Sequence, residues 1–331
     1  MEFKETIGID VGKETIDACV HSSQNAQVFE NTASGYKKLD KWVLKYIPCA
    51  KENILIAFEH TGLYSFPLSV YLTESAYKYI VIPGLEIRRS LGMSRGKDDQ
   101  VDAKRIAQYA YEKRARLTPY KLPSKHIIEI KRLLSLREKL VKQRAGYQAT
   151  LKENKRFLIR KENRILFEVH EKMINELNKQ IQKVDKELDD FIKKDPQMKK
   201  MYELIVSIKG VGPQTALFMI VLTNGFTKFE KWRKFACYAG TAPFPNKSGI
   251  SLKGRTKVSH LANKKMKALL SSCAVSAIQH NPEMRRYYLR RIEEGKNEMS
   301  TINIIRNKIL SRIFAVVSRG TPYANTLGYI S

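Results

Sequence analysis

Acidic side chains are scarce in this chain. Only 33 Asp and Glu stand against 60 Lys and Arg among 331 residues, leaving a formal net charge of +27. A surplus of one sign on that scale points to a polyanionic partner, most simply nucleic acid. Cysteine is scarce as well. Cys19, Cys49, Cys237 and Cys273 lie far apart in mostly apolar context, so neither a zinc module nor a disulfide framework is indicated. No apolar run approaches the ~18 residues of a membrane helix, and the opening MEFKETIGID does not read as a secretory signal. A cytoplasmic protein with no membrane partner is the expectation. No internal repeat or low-complexity tract appears, and at 43% hydrophobic residues the chain can bury a core.

The charge is unevenly spread. Residues 1–120 hold 17 basic and 15 acidic side chains, while residues 121–331 hold 43 and 18. A near-neutral first part is joined to a strongly cationic remainder, and the length suits two or three domains.

Pattern along the chain divides it further. FKETIGIDVG, TIDACVHS and QVFENT read as three short strands in a meander. SGYKKLDKWVLKYI reads as a helix opened by a Ser cap, NILIAFEH as a buried strand, and TGLYSFPLSVYLTESA as a helix disturbed by Pro67. YKYIVIP is a further strand, and DDQVDAKRIAQYAYE a helix whose acidic start suits the macrodipole. The order βββαβαβα matches an RNase H-like layout better than a repeating βαβ fold. Beyond it, Ile174, Leu177, Ile181, Val184, Leu188 and Phe191 alternate steps of three and four, a coiled-coil seam. With the helical stretch Ile127–Leu158, joined near Arg160–Asn163, this predicts an antiparallel arm or a dimer coiled coil, ended by KKDPQ. The expected class is α/β plus α: an RNase H-like domain over 1–122, a coiled-coil linker over 123–198, and a mostly helical domain over 199–331.

The first strand poses a chemical question, because Asp10 sits within the apolar run IGIDVG and a lone buried carboxylate is costly. Glu59 ends a second apolar strand, ILIAFE. In an RNase H-like sheet those strands lie side by side and parallel, so the two acids can face each other. Asp99 and Asp102, at i and i+3, share a helix face; Asp98 competes with Asp99 for that role. Four converging carboxylates repel, and Mg²⁺ resolves this through hard oxygen ligands completed by water and substrate phosphate. Singly, each acid has a plain reading as a turn residue, strand end or helix-start acid. Actin-like sugar kinases also open on Asp-x-Gly, but they need a second glycine-rich phosphate loop that is not found here.

Two later stretches bear on nucleic acid. SIKGVGPQTA has the form of a helix-hairpin-helix turn: Gly210 and Gly212 permit unusual backbone angles, Pro213 suits a first helical position, and Lys209 adds charge for a DNA phosphate. YAGTAPFPNKSGISLKGRTKVSH reads as a long polar loop. Within it, Lys247, Lys253, Arg255 and Lys257 surround Ser248 and can offset phosphate charge. By chemistry alone Ser251 is an equal candidate nucleophile, and a loop serine is usually only a turn residue.

GIDVGK, FEHTG, KDDQVDA and YAGTAPFPNKSG, in this order, resemble the IS110 family of insertion-sequence transposases over nearly the whole chain. The resemblance implies a RuvC-type DEDD domain, a coiled-coil linker and a C-terminal Tnp domain. It implies Asp10, Glu59, Asp99 and Asp102 as the Mg²⁺-binding acids and Ser248 as a nucleophile forming a phosphoserine link to DNA. It also implies donor and target DNA, a structured non-coding guide RNA, and assembly as homodimers and homotetramers. KDDQVDA stands where the family has KTDRIDA, GTAP where it has GLAP, and Ala262-Asn263 where it has Gly-Asn. Two rival readings are a metal-only nuclease of the junction-resolving type and a non-catalytic RNA- and DNA-binding scaffold.

Overall fold

The computed structural model describes residues 3–90, 99–248 and 252–324; the side chains of residues 99, 246–248, 252, 253 and 255 fall outside that description. The chain divides into two units, Met1–Leu122 and Pro123–Ser331.

The first unit is built on a five-stranded sheet of order β3-β2-β1-β4-β5, comprising β1 (Glu5–Val11), β2 (Thr15–Val20), β3 (Ala26–Glu30), β4 (Ile54–Glu59) and β5 (Lys78–Ile82). The first three strands pair antiparallel; β4 adds to β1 and β5 to β4 in parallel. Its helices are α1 (Ala33–Tyr46), α2 (Phe66–Glu74), α3 (Gly84–Ser90) and α4 (Asp99–Lys113). Strand alternation decides the two faces. Ile7, Ile9, Ile56 and Phe58 pack with Leu39, Trp42 and Val43 of α1 and Leu68 and Leu72 of α2. Leu55, Ala57, Ile80 and Ile82 pack on the other side with Ile87 of α3 and Ile106, Tyr109 and Ala110 of α4. Each large aliphatic side chain buried this way stabilises by roughly 1.5–3 kcal/mol.

Two local readings are corrected and one element is added. The cap of α1 is Thr32, whose hydroxyl accepts from the Gly35 N–H at 3.2 Å; Ser34 lies inside the helix. Pro67 does not disturb α2. It occupies the first turn, where an absent N–H costs no helical bond. The short helix α3 was not foreseen, because it is only 7 residues long and buries only Ile87.

The second unit contains α5 (Lys125–Phe157), α6 (Arg164–Lys194), α7 (Pro196–Val206), α8 (Pro213–Thr223), α9 (Trp232–Tyr238), β6 (Pro243–Ser248), β7 (Leu252–Val258), α10 (Lys264–His280), α11 (Pro282–Glu293) and α12 (Glu298–Arg319). α5 and α6 form an antiparallel hairpin within the one chain. Arg137 donates to both carboxylate oxygens of Asp185, at 2.5 and 3.1 Å, and Arg144 donates to Asn178 at 2.8 Å. Leu177, Ile181, Val184 and Leu188 are buried along its seam. Its base joins the main core: Ile127, Ile130, Leu134, Val184, Leu188 and Ile192 pack with Leu217, Ile220, Leu270, Ile309 and Ile313. Its far end leaves Phe157 and Ile165 each 77% exposed. No helix among the described residues is long and apolar enough to cross a membrane.

The stretch expected to be a long loop is a two-stranded antiparallel ribbon, β6 paired with β7. Pro243, Pro245 and the glycines obscured it, since proline is tolerated in strands only at edges and ends, and both strands of a ribbon are edges.

Candidate active site

Two contacts fix how α4 lies on the sheet. Thr6 Oγ1 donates to the Ala107 carbonyl at 3.0 Å. A Cβ on Gly8 would stand 2.1 Å from the Ala103 carbonyl oxygen and 2.3 Å from the Ala107 nitrogen. The helix therefore runs antiparallel to β1, backbone against backbone at Gly8. Two strand residues advance ~6.6 Å and four helical residues ~6 Å. The step from Thr6 to Gly8 thus matches Ala107 to Ala103, and the next step brings Asp10 level with the turn that carries Asp99.

Register brings in Glu59. Ile9 pairs with Phe58 in the parallel β1–β4 ladder, so Asp10 and Glu59 are adjacent at the carboxyl ends of their strands. Both project on the α4 side, as Gly8 and Ala57 do, and both are half-buried. The Glu59 carboxylate packs against Gly84 at the start of α3, where a Cβ would lie 1.9 Å from Oε1. Asp102 is on the same helix, and its carboxylate accepts from Arg105 at 3.0 Å. The side chain of Asp99, and all of Asp98, lie outside the described residues. Among the described residues no three Asp, Glu, His or Cys side chains already form a metal cage. The donors present are hard carboxylate oxygens on one face, which suits a divalent cation completed by water and substrate phosphate.

One acid escaped the sequence reading. Asp17 of β2 lies directly opposite Asp10 in the antiparallel pair and is also half-buried. Carboxylates directly opposite each other repel, so this pair adds to the negative field of that face. Counting back from the Gly12–Glu14 turn would have revealed the pairing.

The serine belongs to the second unit. Ser248 is the last residue of β6, opposite Leu252; its side chain, like those of Lys247, Lys253 and Arg255, is outside the described set, and so is Ser251 entirely. Lys247 and Lys253 stand opposite each other in register, and Lys257 is exposed. In the glycine turn, Gly210 has φ +98 and packs so tightly on α10 that a Cβ would lie 2.8 Å from Ala277. Gly212, at φ −92, is ordinary extended backbone and not the special conformation expected. It caps α8 ahead of Pro213, with its backbone turned toward the Cys273 thiol. Lys209 is exposed beside it.

Comparison with known proteins bears on the family. Residues 7–154 match a family profile for the DEDD transposase domain of IS110 type, described as a transposase, and residues 202–289 match one described as transposase of the IS116/IS110/IS902 family. The protein is thus an enzyme of the DNA transposase and recombinase class, and its DEDD-type domain is one that works with a divalent metal. The pilin gene-inverting proteins of Moraxella bovis and Moraxella lacunata are each 25% identical over 330 residues, covering 97% of this chain and 98% of theirs. An insertion element IS110 uncharacterized 43.6 kDa protein of Streptomyces coelicolor is 28% identical over 124 residues, 38% of this chain and 30% of its own. The chain belongs to the IS110 family of transposases.

Proposed function

We propose that this transposase cuts and rejoins DNA with Ser248 as nucleophile and Mg²⁺ at Asp10, Glu59, Asp99 and Asp102, on an RNase H-like sheet of RuvC type. The observation that carries the reading is the register of Asp10 beside Glu59, level with the first turn of α4. Bound there, a divalent cation supplies charge stabilisation at the phosphate oxygens. The four acids orient that phosphate by fixing where its positive counterpart sits. Ser248 forms a new oxygen–phosphorus ester as one phosphorus–oxygen bond to deoxyribose breaks. The serine proton passes to the departing oxygen or to solvent, so the phosphodiester count is conserved and rejoining is the reverse step. Lys247, Lys253, Arg255 and Lys257 offset phosphate charge on the ribbon, and exposed Lys209 adds a cation for a second phosphate beside the glycine turn. The cationic second unit suits a structured guide RNA alongside donor and target DNA, within a homodimer or homotetramer, because its surplus far exceeds what one duplex contact requires.

The test is trapping. Wild-type protein with Mg²⁺ and a substrate blocked against rejoining should yield a protein–DNA adduct that maps to the peptide holding Ser248, and Ser248→Ala should abolish it. Cleavage that persists in Ser248→Ala, with no adduct, identifies the metal-only nuclease instead. Because the two long relatives are named for inverting a gene, the substrate set should include sites in inverted orientation.

A further inference from the structure

The β6–β7 ribbon is a two-stranded element, and such ribbons are marginal alone. Its direction must therefore be set where it leaves the core. That root is unusually well held. Gly240 adopts φ +68 and lies so close to Ala262 that a Cβ would approach the Ala262 Cβ to 2.4 Å. Thr241 is fully buried. Its carbonyl accepts from two amides of α12, Asn303 Nδ2 and Asn307 Nδ2, both at 2.9 Å. Its hydroxyl donates to Asn307 Oδ1 at 3.0 Å. Beyond the returning strand, at the N-cap of α10, the Asn263 N–H donates to the Tyr238 carbonyl at 2.9 Å, and Asn263 Nδ2 donates to the Tyr238 hydroxyl at 3.0 Å. Both ends of the ribbon are thus tied to the core within a few residues of each other.

Asn303 and Asn307 are poor helix formers one turn apart in TINIIRNKIL. Their amides are spent on Thr241 and not on the helix alone. Arg306, 6% exposed, orders the pair further by donating to Asn303 Oδ1 at 3.3 Å.

We infer that Asn303 and Asn307 are positioning residues for strand cleavage: by clamping the Thr241 carbonyl they set the angle at which the ribbon leaves the core and so where Ser248 meets the scissile phosphate. The inference rests on the reading of Ser248 as nucleophile. From Thr241 to Ser248 the extended chain runs roughly 23 Å at ~3.3 Å per residue. A tilt of about 5° at the root moves the far end by about 2 Å, and misplacement of ~1 Å can cost ~10²-fold in rate.

The experiment compares full-length wild type, Asn303→Leu/Asn307→Leu, the milder Asn307→Asp, and Ser248→Ala. Leu approximates the shape of Asn and removes the donors; Asp keeps an acceptor for the Thr241 hydroxyl but cannot donate to its carbonyl. Expected for both Asn variants is DNA affinity within about twofold of wild type, a single-turnover cleavage rate lower by ~10- to 100-fold, and faster deuterium exchange confined to residues near 240–246 and 256–263. Asn307→Asp should fall between wild type and the double variant, and it carries the test should the double variant not fold. An unchanged rate overturns the inference, and so does a rate loss matched by equal loss of DNA affinity and by faster exchange throughout the second unit. Cleavage that survives in Ser248→Ala overturns the serine reading separately, because the deuterium-exchange comparison of the Asn variants does not depend on it.

Discussion

Replacing Gly8 by Ala tests the placement of the acids directly. The added Cβ would meet the Ala103 carbonyl oxygen at 2.1 Å and the Ala107 nitrogen at 2.3 Å, and both are backbone atoms that cannot swing aside. Real Cβ contacts essentially never fall below 3.0 Å, so α4 must retreat from β1 by about 1 Å. Overpacking of this kind costs ~1–3 kcal/mol. For a unit of this size each kcal/mol lowers the melting temperature by roughly 3–6 °C, so the expected shift is about 3–18 °C. The Thr6–Ala107 hydrogen bond lengthens in the same movement. The turn bearing Asp99 and Asp102 moves with the helix while Asp10 and Glu59 stay on the sheet, so strand cleavage should fall by ~10²-fold even in the folded fraction. Calorimetry of the full chain and single-turnover cleavage at a temperature where both proteins are folded measure the two effects. A Gly8→Ala protein with wild-type melting and wild-type cleavage would refute the close packing of α4 on β1, and with it the argument that brings Asp99 level with Asp10.

Gly146 makes the opposite case: it sits inside α5 with nothing within 4 Å of the place a methyl group would take, so Gly146→Ala should stabilise the second unit by ~0.5–1 kcal/mol in thermal melts. A decrease would contradict the open environment of that helix face. Asp195 caps α7, accepting from the Gln197 and Met198 N–H groups at 3.0 and 3.1 Å, and the Met198 bond chiefly holds its carboxyl below the ordinary value, with His126 assisting. A depressed carboxyl adds stability that is present above its unfolded pKa of ~3.9 and is lost as the pH falls through the lower folded value. Asp195→Ala should therefore cost ~1 kcal/mol near pH 7, and less in strong acid. Asp195→Asn should keep a cap while flattening that acid limb, as urea titrations from pH 7 to pH 2 would record; equal losses for Asp195→Ala at both ends would contradict the assignment.

Much of the fold was legible because periodicity and burial are local signals. The apolar runs in IGIDV and ILIAF marked two buried strands, and the three-and-four spacing from Leu177 to Leu188 marked a helix seam buried as expected. The ribbon was not legible. Proline and glycine make β6 and β7 look like loop, and the ladder between them is a pairing of two segments that neither segment reveals alone. The short α3 failed for the related reason that 7 residues carry too little periodicity.

By itself the sequence determined which residues are candidates for chemistry: an acid at the end of each of two apolar strands, an acidic helix start, a serine among lysines, and a cationic second part. These are matters of composition and order along the chain. Only tertiary structure decided which of them meet. The parallel register of β1 and β4 sets Asp10 beside Glu59, the antiparallel register of β1 and β2 adds Asp17, and the bare Cα of Gly8 lets α4 come close enough to bring its first turn alongside. Likewise, two asparagines one turn apart in α12 have no evident purpose until Thr241, more than sixty residues away, is seen to accept from both of their amides. Spacing along a chain does not encode distance in space, and site geometry is a statement about distance.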